Sequence, residues 1–177
     1  MSDKSRVYVE AGPLIDLVKV RVGVPPQTGA EKGVWYLERI LEAARADELE
    51  LFTSTLSIAE CTHVSDPAKL EKAKPFFVGL LASGKSGIRL IQTTLSVVER
   101  ARDLRWFNAV SLSGADSIHV ASALHLRCDE LLTGDGKILD RASAIEPMGL
   151  RVCPPSETHL LPAKYLQDSL GLGGTPT

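Results

Sequence analysis

The feature that most constrains the fold of this chain is an alternation between short β-branched or aromatic runs and longer segments with helical periodicity. The run RVYV precedes AGPLIDLVKV, and the strand-like runs LELFTS, IRLIQ, DELLT and LRVCP are likewise separated by segments of helical character. Strands that alternate with helices pair in parallel. We therefore predict an α/β protein with three layers, in which helices flank both faces of a central parallel sheet of about four to five strands.

The predicted helices begin and end at recognisable signals. Ser113 is a predicted N-cap, and Ser57 and Glu60 have the spacing of a capping box. The stretch GVPPQTGAEKG is rich in turn formers and predicts a loop over 23–33. The predicted helices span residues 11–20, 34–46, 56–64, 68–84, 95–110 and 113–127, with a short helix within 134–144.

Length and composition favour one globular domain. The chain has 177 residues, 44% hydrophobic and 24% charged, and a single core stays efficient up to about 250 residues. A net charge of −2 argues against a large basic nucleic-acid footprint. It does not exclude an enzyme that acts on nucleic acid, because bound divalent cations reverse the charge of an acidic pocket.

Cysteine usage and hydropathy bear on location. The three cysteines form no C-x-x-C pair, so we expect reduced, buried thiols. The N-terminus lacks the apolar core of a signal peptide, and no run reaches the 18 or so apolar residues of a membrane span. We expect a cytoplasmic protein without a membrane partner, whose tail GLGGTPT frays.

Four acidic residues lie at the edges of apolar runs: Glu10, Glu60, Asp116 and Asp135. Ligands of open parallel sheets bind beyond the carboxyl ends of the strands, where we expect these acids to converge. Carboxylates suit Mg²⁺ or Mn²⁺, whereas the absence of a His/Cys cluster in the sequence disfavours zinc. Two such ions about 4 Å apart can cleave a phosphodiester without a protein nucleophile.

Each acid also has a structural explanation. Glu60 could close a capping box with Ser57, and Asp116 one with Ser113. Asp135, inside GDG, could bond its own turn, and the acid after the first strand could simply be solvated. Only the order of the acids and their shared edge of the sheet favour a site.

Other polar residues near these motifs carry less weight. We expect His119, one turn after Asp116, to be structural, because its helix is otherwise used for packing. We expect Asp16 to lie on the outer face of its helix. Lys137 and Arg141 could hold phosphates, but a solvated short helix explains them as well.

The strings VYVEAGPLIDL, LSIAE, ADSIHVASAL and LLTGDGKIL resemble the PIN-domain family, especially its VapC-like members, over residues 6–153. The resemblance implies a PIN-like domain over 1–153, followed by a C-terminal extension over 154–177 that is partly disordered at its end. It implies a Mg²⁺- or Mn²⁺-dependent endoribonuclease with RNA as substrate, often the toxin of a toxin-antitoxin pair with a cognate antitoxin, and often a homodimer. It also implies that the metal-binding and catalytic residues are Glu10, Glu60, Asp116 and Asp135, and that Thr133 bonds a neighbouring carboxylate.

Two departures from the family pattern leave a second function open. The first acid is usually Asp, whereas Glu10 is longer by one methylene, and Ala11 and Gly12 replace the small polar residue that often follows. Mg²⁺ requires near-ideal octahedral geometry, so the longer side chain could weaken the site. The alternative is a catalytically weakened PIN-like module that binds RNA or protein. A metal-dependent phosphatase is a third hypothesis, but the phosphatase motif D-x-D-x-T is missing after the first strand.

Overall fold

The computed structural model describes residues 4–170, and the side chains of residues 4–167. Five parallel strands form one sheet in the order β3-β2-β1-β4-β5. This confirms the predicted α/β fold. The strands are β1 Arg6–Val9, β2 Glu50–Ser54, β3 Ile88–Ile91, β4 Glu130–Leu132 and β5 Arg151–Cys153.

Eight α-helices surround the sheet within the described residues. They are α1 Ala11–Arg21, α2 Glu31–Arg45, α3 Leu56–Glu60, α4 Leu70–Leu81, α5 Leu95–Phe107, α6 Gly114–His125, α7 Gly136–Leu139 and α8 Ala142–Ile145. Most match the predicted segments. Helix α2 begins at Glu31, so the loop after α1 is shorter than predicted.

Helix α3 differs most from the prediction, because it ends at Glu60 rather than near residue 64. Cys61 has ψ of 59°, outside the helical region, and the chain turns there. The predicted capping box is wrong: Thr55 is the N-cap, and Ser57 lies inside the helix. The hydroxyl of Ser57 instead bonds that of Thr53 at 2.7 Å, which anchors α3 to strand β2.

The core has two apolar clusters, one on each face of the sheet. Val7 and Val9 of β1 join the cluster formed with α1, α2 and α4. Tyr8, between them, points to the opposite face and joins the cluster formed with α5 and α6. Because side chains alternate along a strand, the residue after Val9 is directed towards the α6 face.

The C-terminal segment of residues 154–167 packs against the domain. Leu161 is buried in the α1/α2 cluster. Glu130 is 2% exposed and accepts hydrogen bonds from the Arg151 guanidinium, the Thr158 hydroxyl and the His159 backbone N–H. These contacts fix the segment to strand β4. The tail GLGGTPT, expected to fray, lies outside the described residues.

The three cysteines are free and buried, as predicted. Burial raises the pKa of each thiol to about 12, so all three are neutral at physiological pH. None has the thiolate character of a nucleophile or metal ligand. No helix of the described residues has the length and apolar character to cross a membrane.

Candidate metal centre

The site lies at the carboxyl edge of the sheet, where strand order reverses. The chain runs outward from β1 through β2 to β3, then returns to place β4 on the other side of β1. Beyond the ends of these strands, the backbone N–H of Glu10 donates to the Leu132 carbonyl at 3.0 Å. This hydrogen bond holds the residues after β1 and β4 side by side at the switch point, where open sheets bind ligands.

Three side chains converge there: Glu10, Glu60 and His119. One ligand atom from each lies within 4.8 Å of the others. They come from the end of β1, the end of α3 and the middle of α6, which are distant in sequence. Two carboxylates at this spacing can hold one divalent cation, and the imidazole lies beside Glu60.

His119 connects this cluster to the core. It is 1% exposed; its Nε2 lies 2.7 Å from Glu60 Oε2, and its Nδ1 lies 2.8 Å from the Tyr8 hydroxyl. An ionised carboxylate only accepts hydrogen bonds, so His119 Nε2 carries the proton that it donates to Glu60. Nδ1, on the other side of the ring, bonds the Tyr8 hydroxyl. The chain Tyr8–His119–Glu60 thereby fixes the direction of the Glu60 carboxylate.

The carboxylate of Glu10 is confined between α1 and strand β4. A Cβ at residue 12 would stand 2.9 Å from Glu10 Oε2. Only glycine at this residue therefore allows the oxygen to stay where it is. The Thr133 hydroxyl donates to the same oxygen at 3.3 Å, as predicted. The extra methylene of Glu10, relative to aspartate, is thus accommodated over Gly12.

Electrostatics at Glu10 favour a cation. Burial is the main cause that raises the pKa of Glu10 above its usual value, and the negative charge of Glu60 raises it further. His119, the Gly12 backbone and Thr133 act in the opposite direction without cancelling the effect. Two carboxylates that repel each other in a partly buried position gain most from a divalent ion between them. The donor set therefore fits a metal.

Asp135 is linked to the cluster through its backbone. Its N–H donates to Thr133 Oγ1 at 2.9 Å, and Thr133 in turn donates to Glu10. The Asp135 side chain accepts from the Lys137 backbone N–H at 2.7 Å and caps α7. The turn explanation is therefore correct, and the carboxylate is not among the three converging side chains.

Asp116 occupies the first turn of α6. Ser113 is the N-cap as predicted: its hydroxyl accepts from the Asp116 N–H at 3.3 Å and lies 2.6 Å from Asp116 Oδ2. Asp116 is three residues before His119, or about 4.5 Å along the helix axis. Its carboxylate is not among the three converging side chains.

The structure therefore groups the predicted residues differently from the sequence. It joins Glu10 and Glu60 and adds the buried His119, whereas the carboxylates of Asp116 and Asp135 are not among these converging side chains. The one-turn spacing between Asp116 and His119 was the sequence signal for this addition. One expectation is wrong: Asp16 is not on an outer face but 7% exposed, and it accepts from Lys19 and the Gln27 backbone.

Comparison with known proteins matches the chain to one family. The family model described as the PIN domain matches residues 30–144, well over half of the chain. The match contains Glu60, Asp116 and Asp135 and begins after Glu10. PIN domains are typically metal-dependent nucleases, and they act on RNA. No curated protein gives a significant match to the chain.

Proposed function

Because the chain belongs to the PIN-domain family, we propose that it is a Mg²⁺- or Mn²⁺-dependent endoribonuclease that hydrolyses RNA phosphodiester bonds. The observation that carries the proposal is the convergence of Glu10, Glu60 and His119 at the switch point of the sheet. A fold-level match alone would leave the chemistry open.

The residues have separate roles in this proposal. Glu10 and Glu60 hold the cation, and His119 keeps Glu60 aimed at it. A bound divalent cation supplies Lewis-acid chemistry, which lowers the pKa of water and offsets the charge of the phosphodiester. Asp116 and Asp135 complete the binding of metal or of its water ligands. Cys61, beside the two glutamates, stays neutral because burial and their charges raise its pKa to about 12.

The biological role that we propose is the toxin of a toxin-antitoxin pair, of the VapC-like type and acting in the cytoplasm. The resemblance of the four motifs supports this assignment. An antitoxin or a second copy of the chain requires an exposed apolar surface. Helix α5 provides one, since Trp106 and Phe107 at its end are 65% and 76% exposed.

The test is cleavage of a 5′-labelled single-stranded RNA by the purified protein in Mn²⁺, in Mg²⁺ and in EDTA. We expect cleavage with either ion and none in EDTA. Glu60→Gln and Asp116→Asn should each lower the rate by at least about tenfold, the effect of losing part of a metal shell. Glu71→Gln, on the exposed surface of α4, is the matched control and should cleave normally.

Glu10→Asp separates the enzyme from the alternative of a weakened binding module. The Glu10 carboxylate already reaches Thr133 over Gly12, so shortening it should reduce activity. Cleavage that occurs only in Glu10→Asp would support the binding module instead. RNA that stays intact with both ions, for the wild type and for Glu10→Asp, would refute the nuclease proposal.

A further inference from the structure

A small cavity has lining residues that adjoin those of the candidate metal centre in the sequence. Its volume is about 160 Å³, below the roughly 300–1,000 Å³ of pockets for drug-sized ligands. Pro13, in the first turn of α1, and Gly134, between Thr133 and Asp135, form the wall nearest to the site. A single ring system bound in it would adjoin a phosphodiester held at the metal centre.

Asp16 gives the cavity its polarity. It is the only charged residue among the described residues that line the cavity, and it is 7% exposed. Its Oδ1 accepts from the Lys19 ammonium at 3.1 Å and from the Gln27 backbone N–H at 2.9 Å. No hydrogen bond of the described residues reaches Oδ2. Because Oδ2 is not among the buried unsatisfied side-chain atoms, it is accessible from the cavity, where a ligand N–H group can donate to it.

The remaining walls are suited to a flat apolar ring. The space is lined by Pro154 and Pro155, which follow strand β5, by Val34 of α2 and by Leu139 of α7. Such walls stack on a planar ring without requiring a charge. A phosphate is excluded, because the charged lining residue is negative. The cavity is also pre-formed, since the bond from Gln27 to Asp16 holds the loop that closes it.

We propose that this cavity binds the nucleobase next to the scissile phosphate, and that Asp16 selects a base with an exocyclic amino group. The proposal rests on the ribonuclease function proposed above and adds a specificity site to it. Adenine, cytosine and guanine each offer an amino group to Asp16 Oδ2, as cytosine does to acidic residues in other complexes. Uracil has no amino group and offers only its N3–H, which lies between two carbonyl oxygens that the carboxylate repels, so we expect it to bind more weakly. Bases of single-stranded RNA are read at these edges.

The test measures binding of AMP, CMP, GMP and UMP to the full chain in EDTA by ¹H–¹⁵N NMR. We expect the amide signals of residues 27–30 and of Gly134 to shift with the first three nucleotides, and UMP to bind at least about fivefold more weakly. In Asp16→Asn, the amide oxygen still accepts from Gln27 while the new NH₂ donates. That variant should bind UMP best.

A second variant tests the cavity without altering Asp16. The added Cβ in Gly33→Ala would lie 3.8 Å from Pro155, so it narrows the space without a clash. Alanine also favours the helix, so folding is retained. We expect weaker binding of all four nucleotides. Gly79→Ala, on α4 with open space around the added Cβ, is the control and should bind as the wild type.

These outcomes separate the cavity from the nuclease proposal, because binding is measured without metal or cleavage. Equal binding of the four nucleotides, no shift of these amides up to the solubility limit, or an unchanged preference in Asp16→Asn would overturn the base site. Shifts caused by N-acetylarginine amide but by no nucleotide would overturn it too, and would indicate a peptide partner. If RNA is not cleaved but AMP still shifts these amide signals, the nuclease proposal is refuted and the base site is not.

Discussion

Gly12→Ala should inactivate the metal centre without destabilising the protein. The new Cβ would lie 2.9 Å from Glu10 Oε2, whereas ordinary contacts are 3.4–4 Å. The carboxylate must therefore retreat by about half an ångström or more. It is the free end of a flexible side chain, so it can move at little cost.

The displacement acts on the site rather than on the fold. The hydrogen bond from Thr133 to Glu10 is already long at 3.3 Å and breaks when the oxygen retreats. Metal sites typically lose about 10–100-fold in affinity when such a supporting contact is removed. Alanine is better than glycine in a helix by up to about 1 kcal/mol. We expect Mn²⁺ affinity and RNA cleavage to fall 10–100-fold, while the free energy of unfolding stays equal or rises.

The assay combines a calorimetric Mn²⁺ titration with urea denaturation in EDTA. Gly79→Ala serves as the matched control, since its added Cβ meets no atom within 4 Å. It should leave both quantities close to wild type. Wild-type Mn²⁺ affinity in Gly12→Ala would refute the reasoning, because Glu10 would then not need its observed position. A marked loss of stability would also refute it, by showing that the backbone takes up the clash.

Three further predictions concern stability. His119→Phe removes a hydrogen-bond partner of the buried Tyr8 hydroxyl and should lower the free energy of unfolding by about 1–3 kcal/mol in urea; an unchanged midpoint would contradict the hydrogen-bond chain. Burial raises the pKa of Glu10 above 4.5, so the native state binds its proton more tightly than the unfolded chain. In EDTA, the free energy of unfolding of the wild type, relative to Glu10→Gln, should therefore rise as the pH falls through the raised pKa, and it should level off below pH 4.5. Urea denaturation at several pH values measures this difference, and a fall in place of the rise would contradict the raised pKa. Glu130→Ala removes the acceptor that holds residues 154–167 and should speed their amide hydrogen exchange more than that of the sheet; uniform exchange would show that the segment is held by other contacts.

The layers of the fold could be predicted from the sequence because the signals are local. The two-residue period of a strand and the 3.6-residue period of a helix can each be recognised within about ten residues, and the Ser113 cap is recognised from the residues next to it. Helix α3 shows the limit of this reasoning. Its apolar run continues past Glu60, but the chain turns at Cys61, and the Ser57 hydroxyl bonds Thr53 of the adjoining strand instead of capping the helix.

The four acids also divide into what the sequence could predict and what it could not. Sequence order alone placed Glu10 after one strand and Asp135 after another, and parallel pairing brings those ends to one edge. Whether each carboxylate points inward depends on the competing local bonds. Asp135 and Asp116 are engaged at helix N-termini, whereas Glu60 is hydrogen-bonded to His119 of α6.

By itself, the sequence determined the alternation of elements, the parallel sheet, the PIN-domain resemblance and the edge where the acids gather. Only the tertiary structure decided that His119 joins Glu10 and Glu60, that Gly12 gives Glu10 its place, and that Asp16 lies inside a cavity. The physical reason is range. Periodicity and capping are interactions of near neighbours, whereas these three contacts depend on strand order, register and the depth at which each helix packs.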